Sequence, residues 1–318
     1  MFNKIVVIES TGMTEAAYKE MKQYAQEIVR FEDIPGDNAE IIRRIGDADA
    51  ALLSYTSRID QEVIDGCPNL KYIGMCCSLY SEESANVDIA YARTKGISVR
   101  GIRDYGDQGV VEYVLHELIG LLHGYGSQKW EKEAIELTRL KVGIVGLGTS
   151  GTMIAQALHF LGADVRYYSR TRKPEQEKAG ISYMELHPLL SECTVICTCL
   201  NKNVILLHEE EFEKIGHHKI LINTSIAPSH DVPVLAKWLE NPENFFFTDT
   251  PAGLGGADAV AAVKLKEARD KESACNTSVC GKLLVQENVT CRAISAGRTA
   301  QAFELMGRKV LDNIAMEM

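Results

Sequence analysis

The residues best suited to chemistry in this sequence are the glycines of Gly146-Leu147-Gly148-Thr149-Ser150-Gly151, a GxGxxG run. Its flanks give the run meaning: Val142 to Val145 is apolar and strand-like, and Thr152 to Leu161 is apolar and helix-like. A strand that turns through glycines into a helix offers free N–H groups and the positive end of the helix dipole to an anion. The first glycine permits the tight turn, the second lets a pyrophosphate approach the backbone, and the third lets helix pack on strand. Gly146, Gly148, Thr149, Ser150 and Gly151 are thus candidate cofactor ligands, and the chemistry expected of them is dinucleotide binding.

The end of the next strand, Val165 to Ser169, chooses between dinucleotides. An NAD site usually carries a carboxylate about 20 residues past the loop, bound to the ribose 2′-OH. This chain has Ser169-Arg170-Thr171-Arg172-Lys173 instead. A hydroxyl and two guanidiniums attract a 2′-phosphate that a carboxylate would repel. Ser169, Arg170, Thr171 and Arg172 therefore point to NADP(H) rather than NAD(H). As a merely solvated charge run they would set no preference.

Two α/β blocks must position these residues. The first reads as a strand at Lys4–Ile8, helices at Thr14–Ile28 and Ile41–Ile45, and strands at Ala50–Leu53 and Tyr72–Met75. A helix at Asn86–Lys95 closed by Gly96, a strand at Ile97–Val99, a turn at Tyr105–Gly109 and a long apolar helix at Val110–His123 follow. The second block begins at Leu140 and adds strands at Val195–Cys199, Ile220–Ile222 and Phe245–Thr248. Strands alternating with helices predict an α/β fold with parallel sheets covered on both faces. Thr299–Asn313 reads as an amphipathic helix returning to the first block, and Gly253–Glu287, which has no clean period, as a helical insertion or a mobile loop.

Composition narrows the partners. The 318 residues are 46% hydrophobic and 25% charged, an ordinary globular profile that excludes a disordered or fibrous chain. With 34 basic and 44 acidic residues the net charge is −10, opposite to what a nucleic-acid binder needs. No apolar run reaches the ~18–20 residues of a membrane span, and nothing marks the chain for export, so a cytoplasmic protein is expected. The nine cysteines form no paired CxxC pattern; they read as reduced, packed thiols, with no metal site.

Taken together, these segments resemble the D-isomer-specific 2-hydroxyacid dehydrogenase family. Lys141–Lys173 looks like that family's dinucleotide fingerprint. Asn86-Val87-Asp88, Gly96-Ile97 and Tyr105–Glu112 are similar to its Asn-Val-Asp, Gly-Ile and Tyr-Gly-x-x-x-Val-Ala-Glu signatures. Ala296-Gly297-Arg298-Thr299-Ala300-Gln301-Ala302 resembles its Ala-Gly-x-Thr-x-x-Ala. The resemblance implies two doubly wound parallel-sheet domains: a flavodoxin-like substrate domain over 1–104 and 294–318, and a Rossmann dinucleotide-binding domain over 105–293. It also implies a small-molecule substrate, a homodimer built on the cofactor domains and the helix from Val110, and further cofactor contacts at Thr224, Ser225, Asp249 and Gly297. The substrate carboxylate would sit on a loop at Met75-Cys76-Cys77-Ser78 with Tyr80 nearby, although this loop lacks the family's glycines.

The same resemblance exposes a gap. The family uses an Arg to hold the carboxylate, a His as acid and base, and a Glu to tune the His. Here the matching positions are Ile226, Ile294 and Leu254, and no His occurs after His230. An aliphatic side chain neither titrates nor polarises a carbonyl. Either relocated groups carry the chemistry, with Arg298, Tyr105 and Arg292 the leading candidates and His230, Asp231 and Tyr80 behind them, or the chain keeps the cofactor as a non-catalytic sensor. Three aliphatic replacements also predict a drier pocket and a less charged substrate.

Overall fold

The computed structural model describes residues 1–201, 204–255, 283, 286–291 and 296–318. The chain divides into two compact units, Met1–Gly106 with Thr299–Met318, and Asp107–Arg298. The first boundary falls two residues beyond the expected one, and residues 296–298 sit with the second unit.

In the first unit, β1 (Phe2–Val7), β2 (Ala25–Arg30), β3 (Ala50–Leu53), β4 (Tyr72–Ser78) and β5 (Ser98–Ile102) form one parallel sheet in the order β2-β1-β3-β4-β5. Helices α1 (Glu15–Met21), α2 (Asn38–Ile45), α3 (Gln61–Gly66) and α4 (Ile89–Thr94) connect them. This is the flavodoxin-type winding, with its switch point between β1 and β3. Strand residues alternate between two cores. Val6, Ile8, Ala51, Leu53, Ile73 and Met75 meet α2 and α3 on one face, and Ile5, Val7, Leu52 and Tyr72 form the other.

Two expectations are corrected here. The helix expected over Thr14–Ile28 stops at Met21, and Ala25–Arg30 is an edge strand paired on β1, Ile5 opposite Ile28. The helix-compatible composition yields to the ladder that β1 offers. The strand expected to end at Met75 runs on to Ser78, so Cys76, Cys77 and Ser78 are strand residues rather than a loop. A register shift between Gly74 and Ser78 lets β4 keep pairing with β5.

The second unit starts with α5 (Asp107–His123), which begins inside the expected turn. There follow β6 (Lys141–Val145), α6 (Thr149–Phe160), β7 (Asp164–Tyr168), α7 (Pro174–Lys178), β8 (Ser182–Tyr183), α8 (Leu186–Glu192) and β9 (Val195–Thr198). Next come α9 (Glu209–Ile215), β10 (Ile220–Asn223), α10 (Val232–Trp238), β11 (Phe245–Thr248) and β12 (Val289–Cys291). The strand order β12-β11-β10-β9-β6-β7-β8 is the Rossmann winding extended by one strand. Its reversal point lies between β6 and β9, where the glycine loop leaves the sheet. The fully buried β9 and β10 read as continuous apolar runs, as a doubly covered parallel sheet requires.

The chain then returns to the first unit in α11 (Ala300–Ala315), whose start Thr299 caps by accepting from the Ala302 N–H. Met306, Val310, Leu311 and Ile314 complete the core over Ile5, Val7, Leu52 and Tyr72. Of the expected insertion over Gly253–Glu287, Gly253–Gly255, Leu283, Gln286 and Glu287 are described, and the rest lies outside the described residues.

Candidate functional site

The three glycines of the loop differ in what surrounds them. Gly146 has φ +99°, and a Cβ there would lie 2.6 Å from the Cys199 carbonyl oxygen. A Cβ on Gly151 would lie 2.1 Å from the Gly146 carbonyl oxygen. Both are therefore demanded by the fold. Gly148 has nothing within 4 Å of the place its Cβ would take, so no protein atom demands its missing side chain and room is left for a ligand. Gly148 is also the cap residue of α6, and no side chain caps this helix, which leaves the first-turn N–H groups to an anion. A depression of about 400 Å³ opens there, lined by Leu147, Gly148, Thr149, Thr152, Met153, Lys173, Glu175 and Gln176. Lys173 and α7 thus face the loop across the groove. The Ser150 hydroxyl, expected to meet the cofactor, donates instead to the Asp107 carboxylate, leaving its backbone N–H for that role.

Past β7 the basic run is only partly free. Arg172 pairs with Glu177, Nε lying 3.0 Å from Oε1, and stacks 4.9 Å from the Tyr183 ring centroid. The guanidinium holds the Glu177 carboxyl below its usual range. Ser169 donates to the Thr171 carbonyl. Arg170 is exposed and makes no ion pair among the described residues. The expectation of two guanidiniums open to a phosphate is corrected to one, Arg170, with Lys173 beside it.

At the ends of β9 and β10 stands a buried polar network that sequence reasoning missed. Thr198 Oγ1 is 2.9 Å from Asn223 Oδ1, and Ser229 Oγ is 2.8 Å from the former and 2.9 Å from the latter. Asn223 Nδ2 donates to the Ser225 carbonyl at 3.2 Å, and Ser225 Oγ accepts from the Leu200 N–H at 2.8 Å. Thr224 Oγ1 lies 3.0 Å from Thr198 O and 3.2 Å from Cys199 Sγ. The loop residues after β10 are fixed by these bonds. Asp249, buried at the end of β11, accepts from the Ala296 N–H at 3.2 Å and so anchors the turn that carries Gly297.

Of the three positions expected to be aliphatic, the two described ones differ in their surroundings. Ile226 is 52% exposed, whereas Leu254 is fully buried in the core with Leu221, Leu235 and Phe246. Ile294 and Arg292 lie outside the described residues. Arg298 is exposed at the end of the second unit. His230 is fully buried with its ring 5.2 Å from Phe246, and burial pushes its pKa down to about 4. It is therefore neutral, and packed in the sheet rather than presented to a substrate.

The candidate substrate residues of the first unit are mixed. Cys76 and Cys77 are buried in β4, with Cys76 Sγ 3.9 Å from Met13 Sδ, and burial pushes the Cys76 thiol far above its ordinary range. Ser78 is half-buried at the end of the same strand. Tyr80 is exposed, and its carbonyl accepts from Arg103 at 3.0 Å. Tyr105 packs partly buried against the core under α11. At the same sheet edge the buried Glu9 carboxylate accepts from the Ser54 N–H (2.9 Å), the Ser57 N–H (3.1 Å) and hydroxyl (2.7 Å), and the Thr56 hydroxyl. It thereby ties the end of β1 to the loop after β3. Among the described residues no three His, Cys, Asp or Glu side chains converge as for a metal, and no helix is long and apolar enough to cross a membrane.

Comparison with known proteins agrees with this geometry. Residues 117–249 match the NAD binding domain of D-isomer specific 2-hydroxyacid dehydrogenases. The chain is 28% identical over 246 residues to a hydroxypyruvate reductase of Blautia hydrogenotrophica, covering 71% of this chain and 75% of that protein. It is 27% identical over 221 residues to a glyoxylate reductase of Thermococcus kodakarensis, covering 63% and 65%. The fold is similar to that of the pyruvate reductase of Chlamydomonas reinhardtii, with a TM-score of 0.77 at 20% identity over 99% of this chain and 96% of that one. The residues present fit a nicotinamide dinucleotide: the uncapped helix start and the open side of Gly148 leave room and donors for its pyrophosphate. A Rossmann sheet with an open glycine loop, in a stretch that matches this domain model, is thus similar to the NAD binding domain of D-isomer specific 2-hydroxyacid dehydrogenases.

Proposed function

We propose that this protein is an NADP(H)-dependent oxidoreductase acting on a small carbonyl or hydroxy compound, through an active site that lacks the family's Arg, Glu and His. When bound, the nicotinamide supplies the hydride chemistry. The chain's own residues bind and orient it: the N–H groups at Gly148 and Thr149 hold the pyrophosphate, and Thr224, Ser225, Asp249 and Gly297 define the ends of the strands beside it. The observation that carries the NADP(H) preference is the free Arg170 at the end of β7, in a position without a carboxylate. The named activities of the hydroxypyruvate and glyoxylate reductase relatives support a carbonyl substrate. We place anion binding on Arg298 and proton transfer on Tyr105, with Arg292 as a further candidate. The half-exposed apolar residues Val110, Leu115 and Ile119 of α5 support a homodimer interface, and light scattering in solution tests it.

The deciding experiment follows NADPH absorbance with a panel of 2-oxo acids, aldehydes and ketones. Oxidation that is lost in Arg298→Ala or Tyr105→Phe supports the reading. Saturable NADPH binding without oxidation of any of them replaces it with the sensor, which the exposed Ile226 and the core-packed Leu254 favour.

A further inference from the structure

Cys197 and Cys199 have no part in the reading above, yet they stand under the dinucleotide loop. Cys197 lies within β9 and is buried; Cys199 is the first residue past the strand and only half-buried. Residues two apart on an extended chain face the same way, and the two sulfurs are 3.8 Å apart. The Cys199 N–H is held by the Val145 carbonyl at 2.9 Å. Cys199 Sγ lies 3.2 Å from the Thr224 hydroxyl oxygen, and either sulfur of the pair can donate to the other. The half-buried Cys199 is the thiol that peroxide can reach, and the buried Cys197, 3.8 Å away, is placed to resolve.

Cys199 is also the floor on which the loop rests. Its carbonyl oxygen is the atom a Cβ on Gly146 would strike, and its Cβ lies 3.3 Å from where a Cβ on Gly151 would stand. Any displacement of Cys199 therefore reaches the turn that receives the pyrophosphate.

We propose that Cys197 and Cys199 form a peroxide-oxidised thiol pair whose disulfide lowers the affinity of the adjacent loop for dinucleotide. The Cys199 thiolate attacks hydrogen peroxide; an S–O bond forms, the O–O bond breaks, and hydroxide leaves to be protonated to water. Cys197 then gives up its proton and attacks the resulting sulfenic sulfur, forming the S–S bond and releasing a second water. Two thiols lose two electrons, and one peroxide becomes two waters. Closing the sulfurs from 3.8 Å to a bond of about 2.05 Å draws Cys199 toward its strand and moves its carbonyl against Gly146.

The test uses the full chain, treated with hydrogen peroxide and then alkylated. Peptide mapping is expected to give a Cys197–Cys199 linkage two hydrogens lighter than the dithiol. NADPH titration of the same sample is expected to show a loss of affinity that dithiothreitol restores. Cys199→Ser removes both effects, while Cys197→Ser leaves Cys199 as a sulfenic acid trapped by dimedone. Absence of the linkage overturns the proposal, as does a linkage that leaves affinity unchanged. Affinity loss that persists in Cys199→Ser overturns it too. Should Cys199→Ser not fold, dimedone labelling of Cys197→Ser decides alone: an unlabelled Cys199 refutes the pair. A chain that binds no dinucleotide before oxidation would instead refute the reading of the loop, and the peptide map would still judge the thiols.

Discussion

At the scale of single residues, the loop separates what folding demands from what binding demands. Gly151→Ala forces a methyl onto the Gly146 carbonyl oxygen and is expected to cost about 3 kcal/mol of stability, seen as a lowered urea midpoint. Gly148→Ala meets no protein atom, so stability should change by less than about 1 kcal/mol. Its methyl occupies the space left for the pyrophosphate, and NADPH affinity in a fluorescence titration should fall. A Gly148→Ala variant that binds normally would show that the open side of the loop is not the cofactor's place. If Arg170 holds the 2′-phosphate as proposed, Arg170→Ala loses a charge-assisted contact of about 1.5–3 kcal/mol, so NADPH should bind roughly 10- to 100-fold more weakly while NADH is unaffected. Equal losses for both cofactors would move the preference elsewhere, with Arg172 already committed to Glu177.

At the scale of elements, His230 makes acid stability measurable. Its ring is buried beside β11, neither nitrogen has a partner among the described residues, and its pKa is about 4. Unfolded, the same imidazole titrates near 6.5. Below that value the unfolded chain binds a proton that the folded chain refuses, so stability is fully present above about 6.5 and is lost as pH falls toward 4, by about 3 kcal/mol. Urea midpoints at pH 7 and pH 4.5 should differ less in His230→Phe than in the natural chain; an equal difference would rule the residue out. This neighbourhood also shows what a sequence conveys. Apolar runs such as Val195–Thr198 and Phe245–Thr248 announce buried parallel strands by themselves, and the glycine loop announces its ligand. The Ala25–Arg30 strand does not, because Gln26 and Glu27 are polar and pairing with β1 decides their state. Glu9 is equally silent: its four donors stand 45 to 48 residues away. For Leu254, the sequence shows an aliphatic residue but not that its side chain packs in the core.

At the scale of the molecule, the first unit is made of two stretches of chain far apart in sequence. α11 supplies Met306, Val310, Leu311 and Ile314 to its core, and Asn313 Nδ2 donates to the Gly101 carbonyl at 3.0 Å. Burying each of those four side chains stabilises by about 2 kcal/mol, a sum comparable with the roughly 5–15 kcal/mol that holds a domain folded. A chain ending at Arg298 should therefore lose the cooperative calorimetric transition of the first unit and keep that of the second, along with dinucleotide binding. Two surviving transitions would show that β1 to β5 close without α11. This architecture has a consequence for synthesis on the ribosome. Residues 1–106 emerge first, but all of Asp107–Arg298 must be translated before α11 exists, a wait of roughly 10–40 s at about 5–20 residues per second. Throughout it, the apolar face bearing Phe2, Ile5, Val7, Leu52 and Tyr72 has α1 on it but lacks the part of its cover that α11 supplies. The nascent chain thus completes its second domain before its first, and holdase chaperones have their longest opportunity at the segment made earliest.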